Sequence, residues 1–259
     1  MSNSMKGYWI NHVLDIKDSE RFGAYAEASM SMFQGDNKYG ARIVLFGPVA
    51  ATVLGDPVQY AAVAEFDSVQ AAIDFWDDPD YAAARALMGP ADDESAVVDR
   101  RVCCIEGEPL TVSQNQGFWL NHVHDIIDEA AFFDYAEASM PHFTCVSFGT
   151  VVHQHAGEQK IQQAAALGFD SISKATGIYH TPEYGAALAA GGMEGGAGQV
   201  EGLDGIEVFA GDVAEIRGQH ADHAESHKGL LFNYRKQLLK IRDNDPAARV
   251  RLADRGGRG

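Results

Sequence analysis

Four histidines spaced two apart on apparent strands are the side chains best placed for chemistry: His122 with His124, and His153 with His155. Residues i and i+2 of a strand share a face, so each pair presents two imidazoles together. If both pairs point to one interior, four imidazoles converge. Imidazole titrates near neutrality and serves as acid, base or metal ligand. A pair with one neutral and one protonated ring can take a proton from one atom and return it to another. His124, His153 and His155 could instead hold a divalent metal with an open position. The leading expectation is proton transfer at His122, His124, His153 and His155, without an organic cofactor. No GxGxxG follows a strand to suggest a nucleotide.

Around them, His12, Arg42, Phe46, Trp119, Asn121 and His180 are expected to contact a substrate. Arg42 could clamp a carboxylate, or simply be an exposed charge at a strand end. His180 precedes Thr181-Pro182 at a helix start, a position at a pocket rim. Trp9/Trp119, Asn11/Asn121 and Asp15/Asp125 fall on the opposite strand face from His12, His122 and His124. The histidine face is expected inward, because Val13, Val123, Ile43 and Leu45 suit a helix-covered side; Gln154 does not fit that pattern. Tyr25 and Tyr135 are expected in the core with hydroxyls at a rim.

A duplication must position these residues. Residues 7–33 align on 117–143 at a constant offset of 110, without a gap, with 16 of 27 pairs identical. Such a unit is longer than a solenoid repeat of about 20–50 residues. Tandem copies of a small α/β domain are expected at 1–107 and 117–211, joined by a polar linker at 108–116 and followed by a basic amphipathic helix and tail at 212–259. Each copy reads β-α-β-β-α-β, with Asp18 and Ser68 as helix caps and Pro79 opening a short helix. That order gives a four-stranded sheet with helices on one face, the split βαβ arrangement. The bare face of each sheet needs a partner, which the other copy supplies. An α+β fold of two ferredoxin-like repeats closing an eight-stranded barrel within one chain is therefore expected.

Several motifs resemble those of one family. GYWINHV, YAEA, Tyr39 to Pro48, the Glu65-Phe66-Asp67-Ser68 segment, Asp78 to Tyr81 and Ile105-Glu106-Gly107 are similar, in order, to the family called domain of unknown function thirteen-thirty. The resemblance covers residues 5–107 and, less closely, 115–211. It implies membership of the dimeric α+β barrel superfamily, which holds isomerases, cofactor-free monooxygenases, haem enzymes and plain binders. In the alignment Gly40–Pro48 pairs with Gly149–Gly157. Val44 and Phe46 then become His153 and His155, and Leu14 becomes His124, so chemistry is expected mainly in the second copy.

Composition narrows the partners. The net charge is −17, split as −22 over residues 1–216 and +5 over 217–259. An acidic body argues against nucleic acid and anionic membranes. No apolar run approaches the ~18 residues of a membrane span. Three cysteines, Cys103, Cys104 and Cys145, suit a reducing cytoplasm. The glycine-rich stretch 189–202 could cover a pocket, and the tail helix could join two chains as a homodimer. A lyase or isomerase acting on a small, partly apolar, anionic intermediate is the expected function. A cofactor-free monooxygenase of an aromatic substrate and a small-ligand binding protein are the alternatives.

Overall fold

In the computed structural model, Asp18 Oδ1 accepts the backbone N–H groups of Glu20 and Arg21 at 3.2 and 3.1 Å, opening helix α1 (Ser19–Met30) directly after strand β1 (Lys6–Ile16). Such capping satisfies N–H groups that have no partner within the helix. The structure describes residues 5–90, 94–110, 112–113, 116–124, 126 and 128–192, with the backbone of 206–209. The tail, Asp125 and residues 193–202 of the glycine-rich stretch lie outside those residues.

The first copy continues with β2 (Arg42–Leu54), β3 (Tyr60–Phe66), α2 (Val69–Trp76), α3 (Pro79–Arg85) and β4 (Val98–Gly107). The second copy runs β5 (Gly117–Val123), α4 (Glu129–Ser139), β6 (Cys145–Ala156), β7 (Gln163–Phe169), α5 (Ile172–Gly177), α6 (Pro182–Ala190) and β8 (Ile206–Phe209). Ser68 and Ser171 cap α2 and α5 in the same way. A Cβ on Gly7 or Gly117 would meet the carbonyl oxygen of Ser68 or Ser171 at 2.2 or 2.7 Å, so glycine lets each helix start lie against its first strand.

The eight strands close a barrel in the order β1-β3-β2-β8-β5-β7-β6-β4, and β4 pairs back to β1. All pairings are antiparallel. Two seams join the copies, β4 to β6 and β2 to β8. Strands β2 and β6 extend well beyond the stretch read from sequence, because their far ends cross onto the other copy. Each copy is thus edged by its neighbour's second strand.

Strand alternation sorts the core into three parts. Tyr8, Ile10, Val63, Cys103 and Ile105 meet Phe118, Leu120 and Ala166 inside the barrel. Trp9, Val13 and Phe66 pack under the first copy's helices with Phe33, Phe75 and Tyr81. Trp119, Val123 and Phe169 do the same in the second copy with Phe132 and Tyr184. Val13, Val123 and Ile43 take the helix-covered side as expected; Leu45 lies inside the barrel, because the β2–β3 register shifts between Ile43 and Leu45.

Candidate functional site

The inner histidines are those of the two first strands. His12 and His122 are repeat-mates, both fully buried, and their rings stack with centroids 3.7 Å apart and planes 21° from parallel. His122 Nε2 lies 3.3 Å from the Ile10 carbonyl and 3.5 Å from Cys103 Sγ. His124, 1% exposed, places Nδ1 2.9 Å from the Lys160 carbonyl. Burial pushes His12 and His122 well below the ordinary histidine range; Arg101 and His124 add to it at His12, and His12 and His124 at His122. Two imidazolium rings at this distance would repel by about 4 kcal/mol at an effective dielectric near 20. The pair is therefore a neutral stack in a packed interior.

His153 and His155 do not join them. The β4–β6 ladder pairs Cys104 with His153 but Ile105 with Val151, so one residue is inserted at Val152. An inserted residue reverses which side chains face inward. Val151 and Gln154 share the inner side with Ile105 and Cys103, while His153 and His155 turn outward. His153 is exposed. The expected convergence of four imidazoles and the metal set His124, His153 and His155 are therefore both corrected, since the sheet lies between their members. Among the described residues no group of three His, Cys, Asp or Glu side chains is placed to hold a metal ion.

The seam registers also correct the pairing of the copies. Val49, Ala51, Thr52 and Leu54 meet β8 as Val151, His153, Gln154 and Ala156 meet β4. The counterparts of His153 and His155 are thus Ala51 and Val53, not Val44 and Phe46. Ladder partners on β3 and β7 likewise match Phe46 to Phe148 and Arg42 to Cys145. Arg42 is half-exposed and donates twice to Glu65 Oε1, from Nε at 3.0 Å and Nη2 at 2.6 Å. Glu65 also accepts the Tyr8 hydroxyl at 2.9 Å. This ion pair locks a strand edge and leaves Arg42 engaged within the fold. In the second copy Cys145 and Gly168 take its place, with the thiol occupying the space a Gly168 side chain would need.

The other substrate-contact residues divide. Trp119 is a core anchor, donating Nε1–H to the Ala175 carbonyl at 2.7 Å, as Trp9 does to Ala72 at 2.8 Å. His180 is exposed against the Tyr179 edge. Phe46 and Asn121 each line a cavity, but in different copies.

Those cavities lie between the sheet and the helices, on the face opposite the histidines. The first, about 70 Å³, is walled by Trp9, Phe22, Phe33, Phe46 and Tyr60, with Asn11, Ser29, Tyr25, Tyr81 and Arg100 as its polar groups. Tyr25 and Tyr81 share a hydrogen bond of 2.7 Å, and Arg100 donates Nη1–H to Tyr25 Oη at 2.9 Å. Arg100 is only 4% exposed and is held by Glu94 through Nε at 2.6 Å. Burial chiefly, with the neighbouring Tyr25, raises Tyr81 well above the usual phenol range. Asn11 Oδ1 is buried with no hydrogen-bond partner.

His155 comes from the second copy to pack on the first copy's tryptophans, outside the cavity lining. It stacks on Trp76 at 4.3 Å and 8°, and meets the Trp9 edge at 5.4 Å. Burial first, then His153, pushes it down to about 3, so the ring is neutral at physiological pH. With Arg100 it lines a separate, open polar cleft beside Lys17, Glu94 and Gly157. Sequence periodicity missed Arg100 because its meaning depends on α1 and α3 folding back over β4. The signal that was present is the identical Asn-His-Val-x-Asp-Ile and Tyr-Ala-Glu-Ala segments in both copies, which hold the cavity's Asn11 and Tyr25.

Among the described residues, no helix is long and apolar enough to cross a membrane. No curated protein matches the chain. Among solved structures it is similar to an anthrone oxidase-like protein, 8% identical at a TM-score of 0.49 over 79% of this chain and 90% of that one. A monooxygenase-like protein of Lactobacillus acidophilus NCFM is 13% identical at 0.44, over 81% and 95%. A chlorite dismutase of Candidatus Nitrospira defluvii is 10% identical at 0.40, over 86% and 97%. The chain belongs to the family described as domain of unknown function (DUF1330), whose model matches residues 6–101 and 116–195.

Proposed function

We propose that this chain is a small-molecule enzyme of lyase or isomerase type, working without an organic cofactor in the cavity between sheet and helices of the first copy. The observation that carries this is a buried guanidinium, Arg100, hydrogen-bonded to a phenol that lines an apolar cavity. Arg100 donates to Tyr25 Oη, and when Tyr81 donates to the same oxygen the Tyr25 O–H is left to point at a ligand. A charged donor on its oxygen polarises that O–H, and the low-dielectric site strengthens the effect. The Asn11 amide supplies an acceptor for a substrate N–H or O–H.

No carboxylate and no imidazole lines this cavity. Its residues therefore suit a reaction that needs an oxyanion stabilised and one proton delivered, rather than a strong base. Loss of carbon dioxide from a short 3-oxo acid fits. The C–C bond breaks, its electron pair forms the enolate, Tyr25 protonates that oxygen, and solvent restores the phenol. Ketonisation of a small enol uses the same groups. The enclosed volume of about 70 Å³ is half the ~150 Å³ of an apolar cavity that takes benzene, which favours a short aliphatic substrate. The aromatic walls are the one feature that favours the second reading, a cofactor-free monooxygenase.

Incubating the protein in D2O with C4–C6 3-oxo acids and following them by NMR tests the proposal. Carbon dioxide release with deuterium entering the product is the expected result. Oxygen consumption with turnover would establish the monooxygenase instead, and ligand recovered unchanged would establish a binder.

A further inference from the structure

The second copy keeps the cavity, with no counterpart of Arg100 among the described residues that line it. A hollow of about 40 Å³ lies under α4, lined by Asn121, Tyr135 and Ser139 where the first copy has Asn11, Tyr25 and Ser29. Phe132, Phe143 and Phe148 replace Phe22, Phe33 and Phe46 in its walls. Tyr135 and Tyr184 join hydroxyls as Tyr25 and Tyr81 do. No cation lines it. Asn121 is 7% exposed, lines the hollow, and its Oδ1 has no hydrogen-bond partner.

An unpaired amide oxygen at that depth costs roughly 1–3 kcal/mol unless something fills its valence. The same orphan atom stands at the same place in the first copy, at Asn11 Oδ1. Duplication has kept this asparagine in both copies, each time in the lining of a cavity, which marks a retained acceptor rather than a packing fault. Around Asn121 the walls are aromatic and aliphatic, and burial holds Tyr135 up at about 12, so its phenol remains a neutral donor. An anion entering here would lose its hydration with no cation in return, which is strongly unfavourable.

We infer that the cavity under α4 is a second ligand site, taking a small uncharged molecule whose N–H or O–H donates to Asn121. The contrast with the first copy rests on the reading of Arg100 given above; the site under α4 itself does not. Duplication would then have produced one chain with an anion-accepting site and a neutral-ligand site on the two outer faces of a shared barrel.

Fluorine NMR of the full chain labelled with 5-fluorotryptophan tests this, using propionamide and propionate as probes of equal size and different charge. Trp119 packs on Phe143 of the second cavity at 6.1 Å, and Trp9 lines the first. Saturable movement of the Trp119 line by propionamide is expected, with propionate at least about tenfold weaker there. Asn121→Leu should abolish that response. A Trp119 line that propionamide leaves unmoved, or that both probes move alike, would overturn the inference from the unmodified protein alone. So would a response that survives Asn121→Leu. Failure of propionate to move the Trp9 line would count against the proposed first-copy site only, so the two readings fail separately.

Discussion

Acid should destabilise this protein through its stacked imidazoles. His12 and His122 are fully buried with ring centroids 3.7 Å apart. Burial pushes both well below the ordinary range. In the unfolded chain each takes up a proton near pH 6.5. Below that pH the unfolded state binds more protons than the native state, so stability falls as pH falls and is fully present above about 6.5. With both rings neutral in the native state at pH 5, each loses about 2 kcal/mol there and the pair about 4 kcal/mol. That is a large share of the ~5–15 kcal/mol that holds a typical domain together. Urea unfolding followed by tryptophan emission, at about pH 7.5 and pH 5, measures it. The carboxylates of the acidic body titrate too, so the readout is the difference between the wild type and a His12→Leu/His122→Leu double variant. The double variant should show a change smaller by about 4 kcal/mol. Equal changes in the two proteins would refute a neutral buried stack.

Other consequences are as direct. Arg42→Cys strands the buried Glu65 carboxylate and should destabilise by about 3 kcal/mol in chemical denaturation. Adding Glu65→Gly, which restores the second copy's Cys145 and Gly168 pairing, should recover most of that loss, and a double variant worse than the single one would contradict the register-based pairing. His155→Val installs the residue type found at Val53 and should leave stability within ~1 kcal/mol, as for a volume-matched change at a half-buried site; thermal unfolding checks this. Gly168→Ala puts a Cβ 2.5 Å from Cys145 Sγ, so it should lower the unfolding free energy by ~1–3 kcal/mol through overpacking, measured by chemical denaturation, and Cys145→Ala should relieve it.

The barrel was legible because its determinants are local and repeated. Caps at Asp18 and Ser68, the alternation of Trp9 and Ile10, and an ungapped duplicate fix two βαββαβ units, and a sheet with one bare apolar face must find a second. Alternation put His12 and His122 on one face together, and the apolar Val13, Val123 and Ile43 on the other face favoured that one as the inner side. His153 and His155 were misplaced for a physical reason. A bulge at Val152 reverses the pattern, and nothing in the spacing of histidines and valines marks an inserted residue. The matching of β2 to β6 failed with it, because a short strand motif carries no mark of the ladder register. Arg100 was invisible in another way: a lone arginine on a strand gains meaning only once Tyr25, Tyr81 and Glu94 surround it.

Comparing variants of the outer cavity with variants of the barrel interior decides where the chemistry lies. With a 3-oxo acid that the wild type decarboxylates, Arg100→Met and Tyr25→Phe should each lower kcat by about 10²-fold or more, as removal of an oxyanion donor does. His122→Phe and His124→Leu, folded by circular dichroism, should retain activity within about tenfold, since neither side chain touches the cavity. Activity lost with His122 or His124 and retained without Arg100 and Tyr25 would return the site to the barrel interior and contradict the account.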